Sequence, residues 1–489
     1  MIKLILIELK KIFSKKSIYV IMVIMFLFNF LNNILFYTDY DEFGNYKYLE
    51  NNTLSTEKNI LEKELSKYDY NNKSDVSRYI NLKTELDIIK LKENYKINSW
   101  QYNKIEDYLY NELKNINIYI YQYKDDILLE NAKNNLNILL EKLKKDDWKY
   151  FVNLEIIKLE NEQKELKERL VLLADKIEKE NIEELINSNN LNLKILNYRI
   201  NNNIKEDNNF LNNALINYKN NINLVKQYEE NYNLTREEQI EYQNQKIITE
   251  ESKYILKNKI NYNKQNNLNY QLRTIVDDYE IFIIIIILIV ASTIVAEEIQ
   301  KGTIKLLLIK PYSRGKILLS KYLSIIIILI LMICYLILIE LIIGGIIFGY
   351  SSLEIPVIVY DFNKEIIIEY NIFLYMIIRI VVKMPMLLII ITISFSLSTI
   401  INNVALSITI PLLIYMFAPS INYLILHYKV NLLKYFVSVN WNFNNYLFGK
   451  IPEIECIDLT FSVIVCLFYF IAIIMFTYIS FKKKNIRNV

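Results

Sequence analysis

The feature that most constrains this chain is a set of long apolar runs. Six stretches, 18–36, 279–296, 322–348, 384–401, 404–426 and 459–481, are apolar and nearly free of charge. A helix rises about 1.5 Å per residue and the hydrocarbon of a bilayer is about 30 Å thick, so roughly 20 such residues span it. The runs predict an all-α membrane protein with six transmembrane helices. The second span is short, because only 281–296 is free of charge. The first run is expected to stay in place as a span. Its apolar core is long for a signal peptide, and no small-x-small cleavage site follows it.

Between the first and second runs lies a different chemistry. Residues 37–278 are polar, charged and rich in Asn. The overall figures of 53% hydrophobic and 23% charged residues average over this partition. Lysine and arginine in short loops set the orientation. Lys3, Lys10, Lys11, Lys15 and Lys16 precede the first span. Lys301, Lys305, Lys310, Arg314, Lys316 and Lys321 lie between the second and third, and Lys482, Lys483, Lys484 and Arg487 follow the sixth. Six spans place all three clusters on one side, expected to be the cytoplasm, with both termini there. The 37–278 insertion is then expected outside the cell membrane; long translocated domains escape the charge rule.

The insertion reads as helical. It has no proline, and its one glycine is Gly44. Ile156, Leu159, Leu166, Leu170, Leu173 and Ile177 follow a three-four spacing, with Gln163 as the polar member. Tyr79, Leu82, Leu86 and Ile89 repeat the pattern. Such stripes need a partner face, as in coiled coils. A continuous helix over 155–186 would reach about 48 Å. Long helices packed side by side are expected to form this extracytoplasmic domain. It reads equally as a receptor or docking surface and as a helical spacer. Lys and Asn are abundant and Arg scarce, as in chains from A/T-rich genomes, so their abundance carries little functional weight.

Several chemistries are excluded. One His rules out His-rich metal sites and the usual His-based catalytic sets. Gly315-Lys316 and Gly449-Lys450 lack the rest of a phosphate-binding loop. Three scattered Cys form no disulfide framework. A formal charge of +3 does not suggest nucleic acid. No His-Glu-x-x-His or Gly-x-Ser-x-Gly occurs, so no catalytic residues, resident cofactor or metal are expected.

The most informative stretch is VAEEIQKGTIKLLLIKPYSRGKILLSKYL, residues 295–323. Glu297 and Glu298 close the second span. Gly302 and Thr303 follow, then Leu306, Leu307 and Leu308, then Pro311, Ser313 and Arg314, and Lys321 as the third span opens. The pattern predicts a short amphipathic element between two spans. Its leucines would face headgroups or a protein groove, and its basic side chains lipid phosphate or an acidic partner. Pro311 would end it. Each residue taken singly also suits an ordinary positive-inside connector.

In series and in this place, these residues resemble the signature loop of ATP-binding-cassette (ABC) transporter permeases of the type-two exporter family. Glu8-Leu9-Lys10-Lys11-Ile12-Phe13 with Lys15-Lys16 resembles the amphipathic elbow before that family's first span. The layout of one span, a large outer insertion and five more spans is also similar. The segment 427–456 resembles the short re-entrant outer helices the family places before its last span. The resemblance covers 1–36 and 279–489 and leaves the insertion unmatched. It implies an elbow at 1–17 and a coupling loop at 297–321. Glu297, Glu298, Gly302, Thr303, Pro311, Ser313, Arg314 and Lys321 would engage a separate cytoplasmic ATPase subunit that binds ATP and Mg. A second permease subunit, identical or not, would complete the pair. The cargo would be amphiphilic: a peptide, lipid or drug-like molecule. A sensor of envelope stress or antimicrobial compounds, sharing the ATPase, and a membrane-anchored helical scaffold without one are the competing functions.

Glu340 sits in the third run, toward its outer end. A carboxylate in hydrocarbon usually faces a cavity or a partner. It would line a translocation path, or the outer interface if that span ends early. Arg379 and Lys383 are expected to snorkel to outer headgroups. Pro411 and Pro419 are expected to kink or interrupt the fifth span. His427 is expected at the interface.

Overall fold

The structure is a computed structural model. It describes residues 1–38, 49–97, 99–173, 175–207, 209–231, 233–262, 266–304, 312–428, 430–455 and 457–484. The chain divides into two compact units. One comprises Met1–Gly44, Val225–Glu251 and Tyr262–Val489; the other comprises Asn45–Leu224 and Ser252–Asn261.

Six helices of the first unit are long and apolar enough to cross a membrane, as in a multi-pass membrane protein. They are Lys16–Thr38, Glu280–Gln300, Arg314–Phe348, Ile372–Ile400, Val404–Tyr428 and Leu459–Lys483. The third and fourth start well before the expected bounds of 322 and 384. The extra turns carry charges, which the apolar criterion leaves out: Arg314, Lys316 and Lys321 in one, Arg379 and Lys383 in the other. Pro411 and Pro419 lie inside a single continuous fifth helix.

Lipid is as apolar as leucine, so helix association in a membrane depends on close packing and hydrogen bonds rather than on burial from water. The second span packs against the fourth, with Ser292 and Ala296 at the contact. Ser398 donates to the Ser292 carbonyl at 2.7 Å and accepts from the Ala296 amide at 3.0 Å. Tyr322 and Thr392 join the third and fourth spans through their hydroxyls at 2.8 Å. Around these contacts Ile284, Ile287, Leu288, Ile325, Leu329 and Ile390 form the centre of the core.

The expected all-α architecture gains one small sheet. Strand β1, Val357–Asp361, pairs antiparallel with β2, Ile366–Tyr370. Asp361 turns the chain by accepting from the Asn363 and Lys364 amides. Val357 packs with Leu268, Leu272, Ile372 and Met376. Short helices at Asn431–Tyr435, Val437–Asn440 and Phe443–Gly449 precede the sixth span.

The second unit is built from helices, among them Val76–Lys92, Asp126–Lys144, Trp148–Leu172 and Lys176–Asn201. Trp100, Ile105, Leu109, Phe151, Val152 and Leu196 form its main core. The uninterrupted helix expected over 155–186 does not form. The chain breaks after Leu172, and the next helix begins at Lys176, lying against the first. Asp175 causes the restart. Its carboxylate accepts from the Ile177 and Glu178 amides at 2.8 and 3.0 Å. Those amides would otherwise be unpaired donors at a helix start.

Candidate functional site

The first helix, Ile2–Phe13, is amphipathic. It buries Leu4, Glu8 and Ile12 on one face and lies against the third span. Burial of Glu8 among apolar residues requires a cation. Lys321, two turns into the third span, supplies it. Its side chain is 0% exposed, and Nζ meets Glu8 Oε2 at 2.9 Å and Glu298 Oε2 at 2.7 Å. It also donates to the Ile294 carbonyl at 3.1 Å. Lys11 bridges the same two acids, at 3.1 Å to Glu8 and 2.8 Å to Glu298. Burial lowers the affinity of the Lys11 amine for its proton, but the hydrogen bond and charge of Glu298, with Glu8, outweigh it and leave its pKa above the ordinary value. Lys15 pairs with Glu297, which also holds Lys301. The N-terminal helix, the end of the second span and the start of the third are thereby joined by one charge network.

The helix of the second span runs through Glu297 and Glu298, which the sequence places at its end, and stops at Gln300. Gly302 has φ +69°, where an L side chain is strained, and its amide bonds to the Ile299 carbonyl at 3.0 Å. The Thr303 hydroxyl reaches the Glu298 carbonyl at 3.4 Å. Ser313 caps the third span by accepting from the Lys316 amide at 3.4 Å. Arg314 donates to the carbonyls of Lys482 and Lys484 at 2.8 and 3.0 Å, tying this end to the end of the sixth span. Pro311, with Leu306, Leu307 and Leu308, lies outside the described residues. A cavity of about 490 Å³ opens beside the network, between apolar walls from Ile12, Ile18, Ile289 and Ile294 and a rim of Lys15, Glu297 and Lys301.

Lys321 is therefore buried against acids of its own chain, where the sequence pattern has its side chain face lipid phosphate or an acidic partner. The sequence displayed Glu8 and Lys321 but not their meeting, since 313 residues separate them. Arg379 and Lys383 likewise find protein partners. Arg379 pairs with Asp277, and Lys383 with Asp277 at 2.9 Å and with Glu280. Burial pushes the Asp277 carboxyl up, but the hydrogen bond from Lys383 and the charge of Arg379 hold it below its usual value. Glu280 also accepts from the Tyr415 hydroxyl at 2.6 Å. His427 stacks on Tyr423, with ring centroids 4.0 Å apart.

Glu340 stands apart from this network. It lies 19 residues beyond Lys321 on the same helix, about 28 Å along the axis, close to the thickness of the hydrocarbon. It is 2% exposed. Asn29 and Asn33 of the first span both donate to its Oε2, at 2.7 and 3.1 Å. These asparagines interrupt an apolar helix at a spacing of four, a signal the sequence reading passed over. The second unit holds its own buried set, in which Lys104 pairs with Glu206 at 2.8 Å and Arg199 donates to Asn212 at 2.9 Å. No sequence spacing announces it. Among the described residues no group of three or more His, Cys, Asp and Glu is placed to hold a metal ion.

Residues 239–487 match the model of a family described as "Protein of unknown function (DUF2705)". Over 233 residues, 47% of this chain and 74% of the relative, the chain is 28% identical to "Uncharacterized protein YhcI" of Bacillus subtilis (strain 168). No solved structure matches the chain.

Proposed function

We propose, from the premise that the chain belongs to the DUF2705 family of proteins of unknown function, that it is the membrane subunit of an ABC-type exporter. A separate cytoplasmic ATPase supplies the energy and holds the ATP and Mg. A second permease subunit, identical or not, completes the complex. The observation that carries this reading is the network around Lys321. A loop pushed by a partner moves spans only if its ends are mechanically fastened to them. Here Glu298 near one end of the loop and Lys321 at the other are ion-paired to each other and to the N-terminal helix. Gly302, Thr303, Ser313 and Arg314 shape the exposed approach, and Pro311 belongs to the part that would meet the ATPase. Glu297, Glu298 and Lys321 act as the fastening. In this reading both termini face the cytoplasm of a cell-membrane protein, the polar insertion lies outside, and Glu340 lines the path of an amphiphilic cargo.

The test begins with co-purification. The tagged full chain is expected to bring down an ATP-hydrolysing subunit encoded beside it. Gly302→Pro forces φ near −65° at a position that needs +69°, so it is expected to abolish the dependence of hydrolysis on the permease. Glu298→Ala leaves Lys321 short of an acid in a buried site and is expected to destabilise the folded chain by about 3–5 kcal/mol. An unaltered coupling in Gly302→Pro, or a chain that purifies without any ATPase, overturns the reading. Uptake of a labelled amphiphile into inverted vesicles separates an exporter from a sensor.

A further inference from the structure

The cluster around Glu340 has an imbalance of charge and of hydrogen bonds. Oε2 is well supplied, by Asn29 and Asn33. Among the described residues Oε1 has no partner, and neither has Asn33 Oδ1, although both atoms are buried. Their side chains are already joined at 3.1 Å through Asn33 Nδ2 and Oε2. The Asn33 amide is held in this orientation, since Nδ2 also donates to the Asn29 carbonyl at 3.0 Å. Asn29 and Asn33 are 0% exposed. Asn29 Nδ2 also reaches the Tyr279 hydroxyl at 3.1 Å. Among the described residues no Lys or Arg pairs with Glu340, and the Asp278 carboxylate adds to the negative field there.

The backbone makes room for this arrangement. A Cβ on Gly344, one turn beyond Glu340, would stand 2.4 Å from Oε1. Glycine at 344 thus lets the unpartnered oxygen sit where it does. Two buried oxygen acceptors without donors among the described residues, at a carboxylate with no Lys or Arg beside it and inside a spanning segment, are the kind of donor set that a small cation takes. A leaner solution was available, since a leucine in place of Glu340 would need none of these partners.

We propose that Glu340, Asn33 and Asn29 form an intramembrane binding site for a small monovalent cation, a proton or a sodium ion, held by Glu340 Oε1 and Asn33 Oδ1. The site stands whether or not cargo passes it. A proton on Oε1 turns one acceptor into a donor. A sodium ion takes the lone pairs of both oxygens. Either removes the uncompensated charge.

The experiment uses the purified full chain in lipid nanodiscs, carrying Glu251→Gln so that a second pH-sensitive group is silent. Thermal unfolding is followed while sodium replaces choline at constant ionic strength, and separately across a pH series. A sodium site gives a saturable rise in melting temperature with sodium. A proton site gives a rise as pH falls. Glu340→Gln is expected to abolish a sodium response and to reduce a pH response to the part carried by Asp278, whose pKa burial raises, and Asn33→Leu to shift the midpoint roughly tenfold toward higher cation concentration. Where Glu340→Gln does not fold, Gly344→Ala serves, because its methyl group displaces Oε1 and should weaken the same response. A chain that responds to neither cation, or a response of equal size in Glu340→Gln or Gly344→Ala, overturns the proposal.

Discussion

At the scale of single residues, titration of one acid outside the spans offers a direct check. Burial of the Glu251 carboxyl, opposed by the charges of Arg273 and Lys450, raises its pKa from 4.5 to about 7. The folded chain therefore holds this proton more tightly than the unfolded chain does. Its contribution is complete in acid and is lost as pH rises through the interval from 4.5 to about 7. Stability is expected to fall across that interval with a slope approaching about 1.4 kcal/mol per pH unit. Glu251→Gln is expected to flatten the slope in melts of the detergent-solubilised chain, and an unchanged slope would assign it to other groups. Legibility at this scale was uneven. Glu297, Glu298, Gly302 and Lys321 stood out because their order along the chain is informative. Glu8 stood among the elbow residues, yet nothing local to it disclosed that its partner lies 313 positions away. The Glu340 partners were missed for a simpler reason. Asn29 and Asn33 carry no charge, so a search for uncharged runs counted them as span.

At the scale of elements, apolar periodicity located helices well and their ends poorly. All six spans were legible, because their length is dictated by the bilayer. The start of the third at Arg314 was not, because Arg314 is satisfied by the carbonyls of Lys482 and Lys484 and Lys321 by two acids, partners that local sequence does not show. The break between Trp148–Leu172 and Lys176–Asn201 was hidden by a stripe whose spacing runs on across it. The decisive residue was Asp175, a short acceptor at a helix start. Asp175→Ala is expected to cost about 1 kcal/mol and to speed cleavage by trypsin after Lys176, as read by limited proteolysis of the full chain. A digestion rate equal to that of the unaltered chain would show that packing alone holds the turn. The β1–β2 hairpin had a readable signal in β-branched runs on either side of Asp361, but its position among spans concealed it.

At the scale of the whole molecule, the partition between apolar and polar chemistry was plain, but the division into compact units follows it only in part. Val225–Glu251 and the polar stretch from Tyr262 to the second span fall in one compact unit with the spanning helices. Arg236 donates to the Pro452 carbonyl, and Gln243 accepts from the Ile451 amide at 2.8 Å. Composition shows which solvent a segment tolerates, not which neighbours it chooses. The proposed topology is testable at this scale. In a chain without native cysteines, Ser66→Cys is expected to react with an impermeant maleimide added to intact cells. Thr303→Cys is expected to react only after permeabilisation, and the reverse pattern would invert the chain and detach the loop from any cytoplasmic engine. The long reach of the Glu8–Lys321 pair also bears on biosynthesis. At 5–20 residues per second, roughly 15 to 60 seconds pass between the making of one partner and the other. Until then Glu8 has only Lys11 beside it, and a ribosome stalled before residue 321 would leave the N-terminal helix paired with the second span through Glu297 and Glu298 but not with the third.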